Sequence, residues 1–333
     1  MKKLFLNIIL LALTTSGFSQ IFPNYGGQRA GLSALSFLKN DLNPRSIAMG
    51  GASVALDYDG YSIINNPALI TDFNSFNASA SSMIVGAGVQ QNFVSAVVPY
   101  NSKRFGLSIN ALSTDAMEVR TEFQPYGTGE YFYATNIATG LTYAQKLSDR
   151  FAMGVTFKYI FEQLAQYTNH AATADFAFSY TTDFKGLAFA IKVQDFGGNS
   201  SLKGTFTEVG FNRDSTVAVN SYTVPTIFRM GFSFLPYKSD NHSVLFAAEL
   251  DHPNDNAENL RFGLAYSFKN ILQVRTGYKL SVKGQKSPTF GIGLATSIGA
   301  HPFKIDYGIN PTNYIGLQHV FGVSFNWNKM ERE

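Results

Sequence analysis

A strict alternation decides the fold, and it is clearest in residues 151–162, which read FAMGVTFKYIFE. Odd positions carry large apolar side chains, from Phe151 to Phe161, whereas even positions are mostly small or polar, as at Gly154 and Lys158. Successive side chains of a β-strand point to opposite faces, so this period of two predicts a strand with one apolar face. The same pattern recurs in residues 187–194, 259–268 and 317–327. Each repeat is about ten residues long, the length that a tilted strand needs to cross a bilayer.

Segments of this kind follow one another along most of the chain. We predict fourteen strands, at 74–83, 91–100, 103–113, 130–147, 150–164, 170–182, 186–197, 223–236, 242–252, 258–269, 271–281, 288–299, 301–310 and 315–328. An even number of strands is typical of bacterial single-chain barrels. The predicted connections alternate between short turns and generally longer loops, such as 84–90, 165–169 and 198–222. This layout is typical of outer-membrane barrels, whose short turns face the periplasm.

The composition favours a membrane barrel over a soluble β-sandwich, in which the apolar faces would instead meet in a core. Charged residues make up 15% of the 333 residues, against about 25% in a typical soluble domain. The formal net charge is +3 and there is no basic cluster, which argues against nucleic acid as a partner. We therefore predict an all-β fold: a transmembrane antiparallel β-barrel of about 14 strands, formed by residues 74–333 and embedded in the lipid of a bacterial outer membrane.

The N-terminus is predicted to be a signal peptide covering residues 1–19. Lys2 and Lys3 precede the apolar run Leu4–Leu13, and Gly17-Phe18-Ser19 fits a small-x-small cleavage pattern. The run is about ten residues long, which suits a signal peptide but is too short for a membrane-spanning helix. The alternative interpretation is a buried N-terminal helix.

Residues 20–73 do not alternate, and they are rich in small side chains. The apolar spacing in residues 29–39 predicts one short helix, and Asn43-Pro44 predicts a break after it. Gly50 and Gly51 allow a close approach to a neighbouring wall. We predict that this segment is a plug inside the barrel lumen, and the alternative is a periplasmic tail.

The charged residues of the predicted strands fall on the faces that point into the lumen. They include Lys158, Glu162, Asp175, Lys192, Arg229, Glu249, Arg261, Arg275, Lys279, Lys304 and Asp306. Because both signs occur on neighbouring strands, we predict a structural network of ion pairs, and a path for a substrate is the alternative.

The N-terminal segment contains Phe37-Leu38-Lys39, then Pro44-Arg45-Ser46-Ile47-Ala48-Met49-Gly50-Gly51-Ala52, then Asn66-Pro67-Ala68. This order resembles the N-terminal signature of the PorV/PorQ family, which is similar to the FadL-type fatty-acid transporters. Those proteins are fourteen-stranded outer-membrane barrels with an N-terminal plug. The C-terminal half agrees, with VRTGYK at 274–279, FGIGL at 290–294, IDYG at 305–308 and HVFGVSF at 319–325.

The resemblance implies a role in type IX protein secretion or in surface attachment, with secretion-system or surface proteins as partners. Its plug motif comprises Arg45, Met49, Gly50, Gly51, Ala52, Asn66, Pro67 and Ala68. A candidate partner loop is 198–222, which contains Phe206, Val209, Phe211 and Tyr222. The alternative function is a FadL-like transporter of hydrophobic small molecules, with an amphipathic small molecule in the lumen. An apolar cavity past the plug would favour transport, whereas a sealed lumen with exposed apolar loops would favour partner binding.

The sequence carries no motif typical of a catalytic site. The five histidines lack metal-ligand spacing, and the chain has no HExxH, GxxxxGK[ST] or GxSxG sequence. His319 falls on the lipid-facing set, where an interfacial position is expected. We therefore predict a protein that is not an enzyme, with no cofactor and no metal site.

Overall fold

The structure is a computed structural model that describes residues 31–56, 59–203, 205–209, 214–218, 220–285 and 287–327. The predicted signal peptide and Phe211 lie outside the described residues. Among the helices of these ranges, none is long and apolar enough to span a membrane.

Strands dominate the described ranges. In chain order they are β1 (Phe76–Gly86), β2 (Val89–Tyr100), β3 (Lys103–Thr114), β4 (Met117–Glu118), β5 (Tyr131–Phe132), β6 (Ala134–Lys146), β7 (Phe151–Leu164), β8 (Tyr167–Thr181), β9 (Ala188–Gly197), β10 (Asn199–Ser200), β11 (Thr205–Val209), β12 (Asp214–Ala218), β13 (Tyr222–Thr223), β14 (Ile227–Lys238), β15 (His242–Pro253), β16 (Asn259–Phe268), β17 (Leu272–Leu280), β18 (Thr289–Ile298), β19 (His301–Thr312) and β20 (Gly316–Trp327).

Fourteen of these described strands, all except β4, β5 and β10 to β13, form one closed antiparallel barrel. Strand β1 pairs with β20, for example through Phe76 opposite Trp327, so the sheet closes on itself. The predicted fourteen-stranded barrel is therefore confirmed, and two stacked sheets are excluded.

The two faces of the wall follow the alternation of the sequence. On β6 and β7, Leu141 lies opposite Phe157, and both are about two-thirds exposed, at 64% and 66%. The next pair, Thr142 and Thr156, is buried and joined by a 2.8 Å hydrogen bond inside the barrel. A continuous apolar outer surface with a polar interior is the arrangement of a barrel embedded in lipid.

Long connections occur at one end of the barrel only, which we call the loop end. The opposite end, with Asn101-Ser102 and Gly299-Ala300, is the turn end. The longest loops join β3 to β6 and β9 to β14, and they contain the small sheets β4–β5, β10–β13 and β11–β12.

Two joins at the loop end differ from the prediction. Residues 84–90 and 165–169 were expected to be longer connections, but two-residue turns join β1 to β2 and β7 to β8. In the first turn, Ala87 and Gly88 have φ angles of 52° and 74°. This left-handed pair lets a two-residue turn follow the twist of the strands, so the strands extend further than expected.

The N-terminal segment lies inside the barrel. It contains a 3-10 helix (Ser36–Lys39), α1 (Pro44–Ala48), α2 (Ser62–Asn65) and a second 3-10 helix (Pro67–Asp72). We call residues 31–56 and 59–73 the plug segment, because nearly all of its residues from Leu42 onward are buried against the inner wall.

Asn-Pro pairs begin two of the four helices of the plug segment. Asn43 accepts a hydrogen bond from the backbone N–H of Arg45, and Asn66 accepts one from that of Ala68. Each asparagine therefore caps a helix whose first residue is proline, a position where the missing N–H costs no hydrogen bond. Asn43-Pro44 thus starts a helix, in addition to ending the segment before it.

The helix expected in residues 29–39 is wrong for the described part of that range. There, only Ser36–Lys39 is helical, as a single 3-10 turn. Leu35 has a left-handed φ of 55°, and Ser33 forms a parallel bridge with Thr223. Pairing with the loop before β14 therefore replaces the first turns of the expected helix.

Candidate functional site

The first half of the plug motif lies directly against glycines of the barrel wall. A Cβ atom at Gly277 would come within 3.0 Å of the backbone of Met49 and Gly50. A Cβ atom at Gly308 would likewise come within 3.0 Å of the carbonyl oxygen of Pro44, and one at Gly291 would come within 3.0 Å of the Cβ of Ala48. The wall therefore lacks side chains where α1 and the residues after it pass.

Hydrogen bonds fix the same stretch to β18. The Oγ1 of Thr289 donates to the carbonyl of Ala48 at 3.0 Å and accepts from the N–H of Gly50 at 3.0 Å. Gly50 and Gly51 have φ angles of 68° and 81°, a left-handed pair that suits glycine. The chain turns sharply here, and Ala52 is buried beyond the turn.

The second half of the motif packs on the opposite side of the lumen. A Cβ atom at Gly154 would come within 3.0 Å of the backbone of Pro67 and Ala68. Asn66 donates from Nδ2 to the carbonyl of Val54 at 2.7 Å, so the two halves of the motif are linked. All eight residues of the predicted motif are buried.

Arg45 and Asp59 form an ion pair inside the plug segment, with Nη1 and Oδ2 at 3.6 Å. Burial raises the pKa of Asp59 above its ordinary value of 3.8, and the charge of Arg45 opposes this shift. Tyr61 lies two residues after Asp59, and its hydroxyl is within hydrogen-bond distance of the carbonyls of Ala80 and Val323, at 3.0 and 2.9 Å. Tyr61 thus contacts both strands that close the barrel.

Buried charges of the wall form a network on β7, β8 and β9. Lys158 lies between Asp175 and Asp195, at 2.9 and 2.7 Å. Lys192 pairs with Asp175 at 3.1 Å and donates to the plug carbonyl of Ile64 at 2.7 Å. The predicted network of ion pairs is present, and it also holds the plug segment.

Asp195 is a residue that the alternation assigned to the wrong face. It continues the outward series of Phe189, Ile191 and Val193, yet it is buried in the lumen. The pairing of β8 with β9 shifts register between Ala174 and Phe176, and Asp195 has a φ of 54°. Such a bulge turns a side chain to the other face, and the charged side chain at the end of an apolar series was the available signal.

A second network holds the plug segment on β14, β15 and β16. Glu249 accepts from the N–H groups of Ser53 and Val54 at 2.6 and 2.8 Å. Arg229 lies 3.9 Å from Glu249 and 3.8 Å from Asp251, which also pairs with Arg261 at 2.5 Å. Asp251 alternates with Glu249, so its inward position follows from the sequence pattern.

Two cavities lie beside this part of the wall. The turn-end cavity has a volume of about 650 Å³, and Leu56, Leu69, Leu235 and Leu245 are among its lining residues. The loop-end cavity has a volume of about 240 Å³. Its charged lining residues are Lys39, Asp251, Asp255, Arg261, Lys279 and Lys283.

On β16, one inward position separates the residues that line the two cavities. On β16, Arg261 lines the loop-end cavity and Ala265 lines the turn-end cavity. The single inward position between them is Gly263, where a Cβ would come 2.7 Å from both the Cβ and the carbonyl of Met49. Met49, fully buried, therefore covers the wall where the two cavities come closest.

The residues directly after the predicted partner loop, 198–222, are bound to the plug segment. The N–H of Ala34 donates to the carbonyl of Thr223 at 3.0 Å, and Val224 packs in a buried cluster with Leu35 and Phe37. Of the residues predicted there, Phe206 and Val209 lie in β11, and Tyr222 in β13 is 44% exposed. The remaining one, Phe211, has no described position.

Other loop side chains are more exposed than that of Tyr222. Phe123 and Tyr126, in the loop between β3 and β6, are each 94% exposed, and Tyr314 is 83% exposed. His319 lies on the outer face, where its Nδ1 is 2.7 Å from the hydroxyl of Tyr307.

Comparisons with known proteins agree on the fold. No family model and no curated protein matches this chain. Among solved structures, the toluene transporter TbuX of Ralstonia pickettii has 12% sequence identity and a TM-score of 0.56, covering 85% of this chain and 96% of TbuX. The monoaromatic hydrocarbon channel CymD has 12% identity and a TM-score of 0.56, covering 88% and 98%. A FadL homologue of Pseudomonas aeruginosa has 10% identity and a TM-score of 0.54, covering 86% and 98%.

These neighbours are FadL-family barrels of the bacterial outer membrane, and at such low identity the likeness shows the fold. The chain is a closed fourteen-stranded antiparallel barrel of that type. Its fold and its apolar outer surface place it in a bacterial outer membrane.

Proposed function

We propose that this protein carries small molecules with a hydrophobic part across the outer membrane, through the two cavities beside β14 to β17. The observation that supports this most is the barrier at Met49. It covers one inward position of β16, Gly263, and cavities lie on both sides of it.

The side chains at the barrier suit a passage that opens and closes. Methionine is unbranched and flexible, so a rotamer change can withdraw the Cε of Met49 from Gly263, while its Cβ and carbonyl stay with the backbone that Gly277 and Thr289 hold. Beyond it, the four leucines of the turn-end cavity offer an apolar surface. The fold shared with a toluene transporter and a monoaromatic hydrocarbon channel supports the same function.

Uptake of labelled toluene tests the proposal, in host cells that lack a hydrocarbon channel of their own. Met49→Ala should raise the initial rate above that of the unchanged protein, because it removes the Cε atom that lies 3.0 Å from the Cβ position of Gly263, although the Cβ and the carbonyl stay. Met153→Ala is the matched control, since this methionine lies on the outer face of β7. Equal uptake in cells with and without the protein would contradict the proposal, and so would equal rates for the two variants.

A second candidate function is partner binding in type IX secretion, as the PorV/PorQ resemblance implies. The exposed rings of Phe123, Tyr126 and Tyr314 favour it, because apolar side chains at a loop end can dock another protein. Deletion of the gene in its own host separates the two functions. Transport predicts lost uptake with intact protein secretion, and partner binding predicts the reverse.

A further inference from the structure

The loop-end cavity contains more positive than negative charge. Four cationic side chains line it, Lys39, Arg261, Lys279 and Lys283, against the carboxylates Asp251 and Asp255. Both carboxylates already have partners, since Lys39 is 2.7 Å from Asp255 and Arg261 is 2.5 Å from Asp251.

Lys279 and Lys283 are the surplus cations. Among the described residues, neither has an ion pair within 4.0 Å or a side-chain hydrogen bond. Lys279 is only partly exposed and points inward, on the same face of β17 as the buried Arg275 and Gly277. A partly buried ammonium group without a partner is unfavourable, and a ligand that supplies negative charge would stabilise it.

The pairing of β16 with β17 increases this cost. Arg261 lies directly opposite Lys279 in the register, and both side chains point into the lumen. Like charges at directly opposite positions destabilise an antiparallel pair. Among the described residues, the carboxylate that pairs with Arg261 within 4.0 Å is that of Asp251, which also lies near Arg229. An anion bound between Arg261 and Lys279 would remove the repulsion.

The position of this cation pair connects it to the barrier. A Cβ at Gly51 would come 2.6 Å from Nη1 of Arg261, so the guanidinium lies directly beside the plug motif. An anion held by Arg261 would therefore lie just on the loop side of Met49. Ile227, Pro253 and Val282 supply an apolar part of the same cavity.

We propose that the loop-end cavity binds the carboxylate of a small organic acid between Arg261 and Lys279, with the apolar part of the molecule against Ile227 and Val282. This inference rests on the proposed transport function, and it names the class of molecule that is admitted to the barrier. The volume of about 240 Å³ suits a single ring or a short chain.

Titration calorimetry on the purified full-length protein in detergent tests the site. The probes are sodium benzoate, its neutral isostere benzamide, and inorganic phosphate. Benzoate should bind saturably, and benzamide should bind about tenfold more weakly or not at all, because it lacks the charge that strengthens the hydrogen bonds. Equal binding of benzoate and benzamide would overturn the proposal. Binding of phosphate without benzoate would overturn the assignment to an organic acid.

Lys279→Gln is the informative variant, because Lys279 has no protein partner to lose. It should weaken benzoate binding about tenfold or more, while Tm without ligand stays equal or rises as the repulsion from Arg261 is removed. Lys103→Gln removes the same charge at the turn end and should bind benzoate like the unchanged protein. Unaltered benzoate binding by Lys279→Gln would overturn the proposal, as would a large fall in its Tm.

Binding and uptake are measured separately, so the two proposals fail in distinguishable ways. Benzoate binding that depends on Lys279, together with toluene uptake that does not depend on the protein, would leave the site standing and remove the transport function. Toluene uptake that depends on the protein, without any benzoate binding, would leave the transport function standing and remove the anion site.

Discussion

The plug segment is held in two different ways on two sides of the lumen. On β17 to β19, which we call the glycine sector, the wall has no side chains at Gly277, Gly291 and Gly308, and the plug backbone fills the space. On β7 to β9 and β14 to β16, the charged sector, glycines such as Gly154 and Gly263 also touch the plug, but buried ion pairs and charged hydrogen-bond partners meet it as well.

The difference explains where the cavities lie. Close packing of backbone against backbone leaves no space, whereas long charged side chains span a gap that they do not fill. Both cavities accordingly border β14, β15 and β16 of the charged sector, and reach the glycine sector only at the edge of β17. The charged sector is thus the side on which a passage can exist.

The largest expected effect is the loss of a buried cation from the charged sector. Lys158→Met should lower the free energy of unfolding by about 3–5 kcal/mol, because the buried carboxylates of Asp175 and Asp195 would lose the ammonium group that pairs with both of them. Urea unfolding in detergent measures it. The control is Lys146→Met, which breaks an ion pair with Asp72 that is nearly half exposed and should cost less than about 1 kcal/mol. Similar losses for the two variants would show that burial of the pair does not matter.

In the glycine sector, one added methyl group should unseat the plug. Gly277→Ala places a Cβ against the backbone of Met49 and Gly50, which cannot rotate away, and should cost about 1–3 kcal/mol. It should also raise the conductance of single barrels in planar bilayers. Gly198→Ala is the control, because nothing lies within 4 Å of a Cβ there. A closed, fully stable Gly277→Ala barrel would mean that the plug is not packed as described.

A smaller effect is expected where Tyr61 contacts the closing strands. Tyr61→Phe removes a hydroxyl that reaches the carbonyls of Ala80 and Val323, and should cost about 1 kcal/mol by thermal unfolding. Tyr126→Phe changes a ring that is 94% exposed and should have no effect. If both variants unfold like the unchanged protein, the Tyr61 hydroxyl contributes nothing to closure.

The smallest effect concerns pH at the loop end. Burial raises the pKa of Asp255, but hydrogen bonds from Lys39 and Ser33 outweigh it, so the pKa lies below its ordinary value of 3.8. A carboxylate with a lowered folded pKa stabilises the fold above 3.8, and this contribution is lost as the pH falls through the folded pKa.

Comparison of the unchanged protein with Asp255→Asn measures that contribution. Their Tm values should differ at pH 7 by an amount equivalent to less than about 1 kcal/mol, because Lys39 is partly exposed. The gap should close as the pH falls below 3.8. A gap that stays constant from pH 7 to pH 3 would show that the charge of Asp255 does not hold the plug segment.

Much of the wall could be predicted from the sequence, whereas the site could be predicted only in part. The alternation of residues 151–161 predicted β7 to within one residue at its start, and similar patterns predicted the other thirteen barrel strands. The two turns at Ala87 and Ala165 escaped prediction, because alanine gives little sign of a left-handed backbone. Arg45, Met49 and Gly50 were singled out through a resemblance, which did not indicate that Met49 would cover Gly263.

The sequence by itself determined which side chains face lipid, because each outward position is selected separately by its contact with acyl chains, and that selection leaves a local period of two. Only the tertiary structure decided how the interior is filled. The bulge that brings Asp195 to Lys158, the register that sets Arg261 opposite Lys279, and the fit of Met49 on Gly263 depend on segments far apart in the chain. A local sequence pattern cannot predict such pairings, because each residue would fit its own strand equally well with a different partner across the lumen.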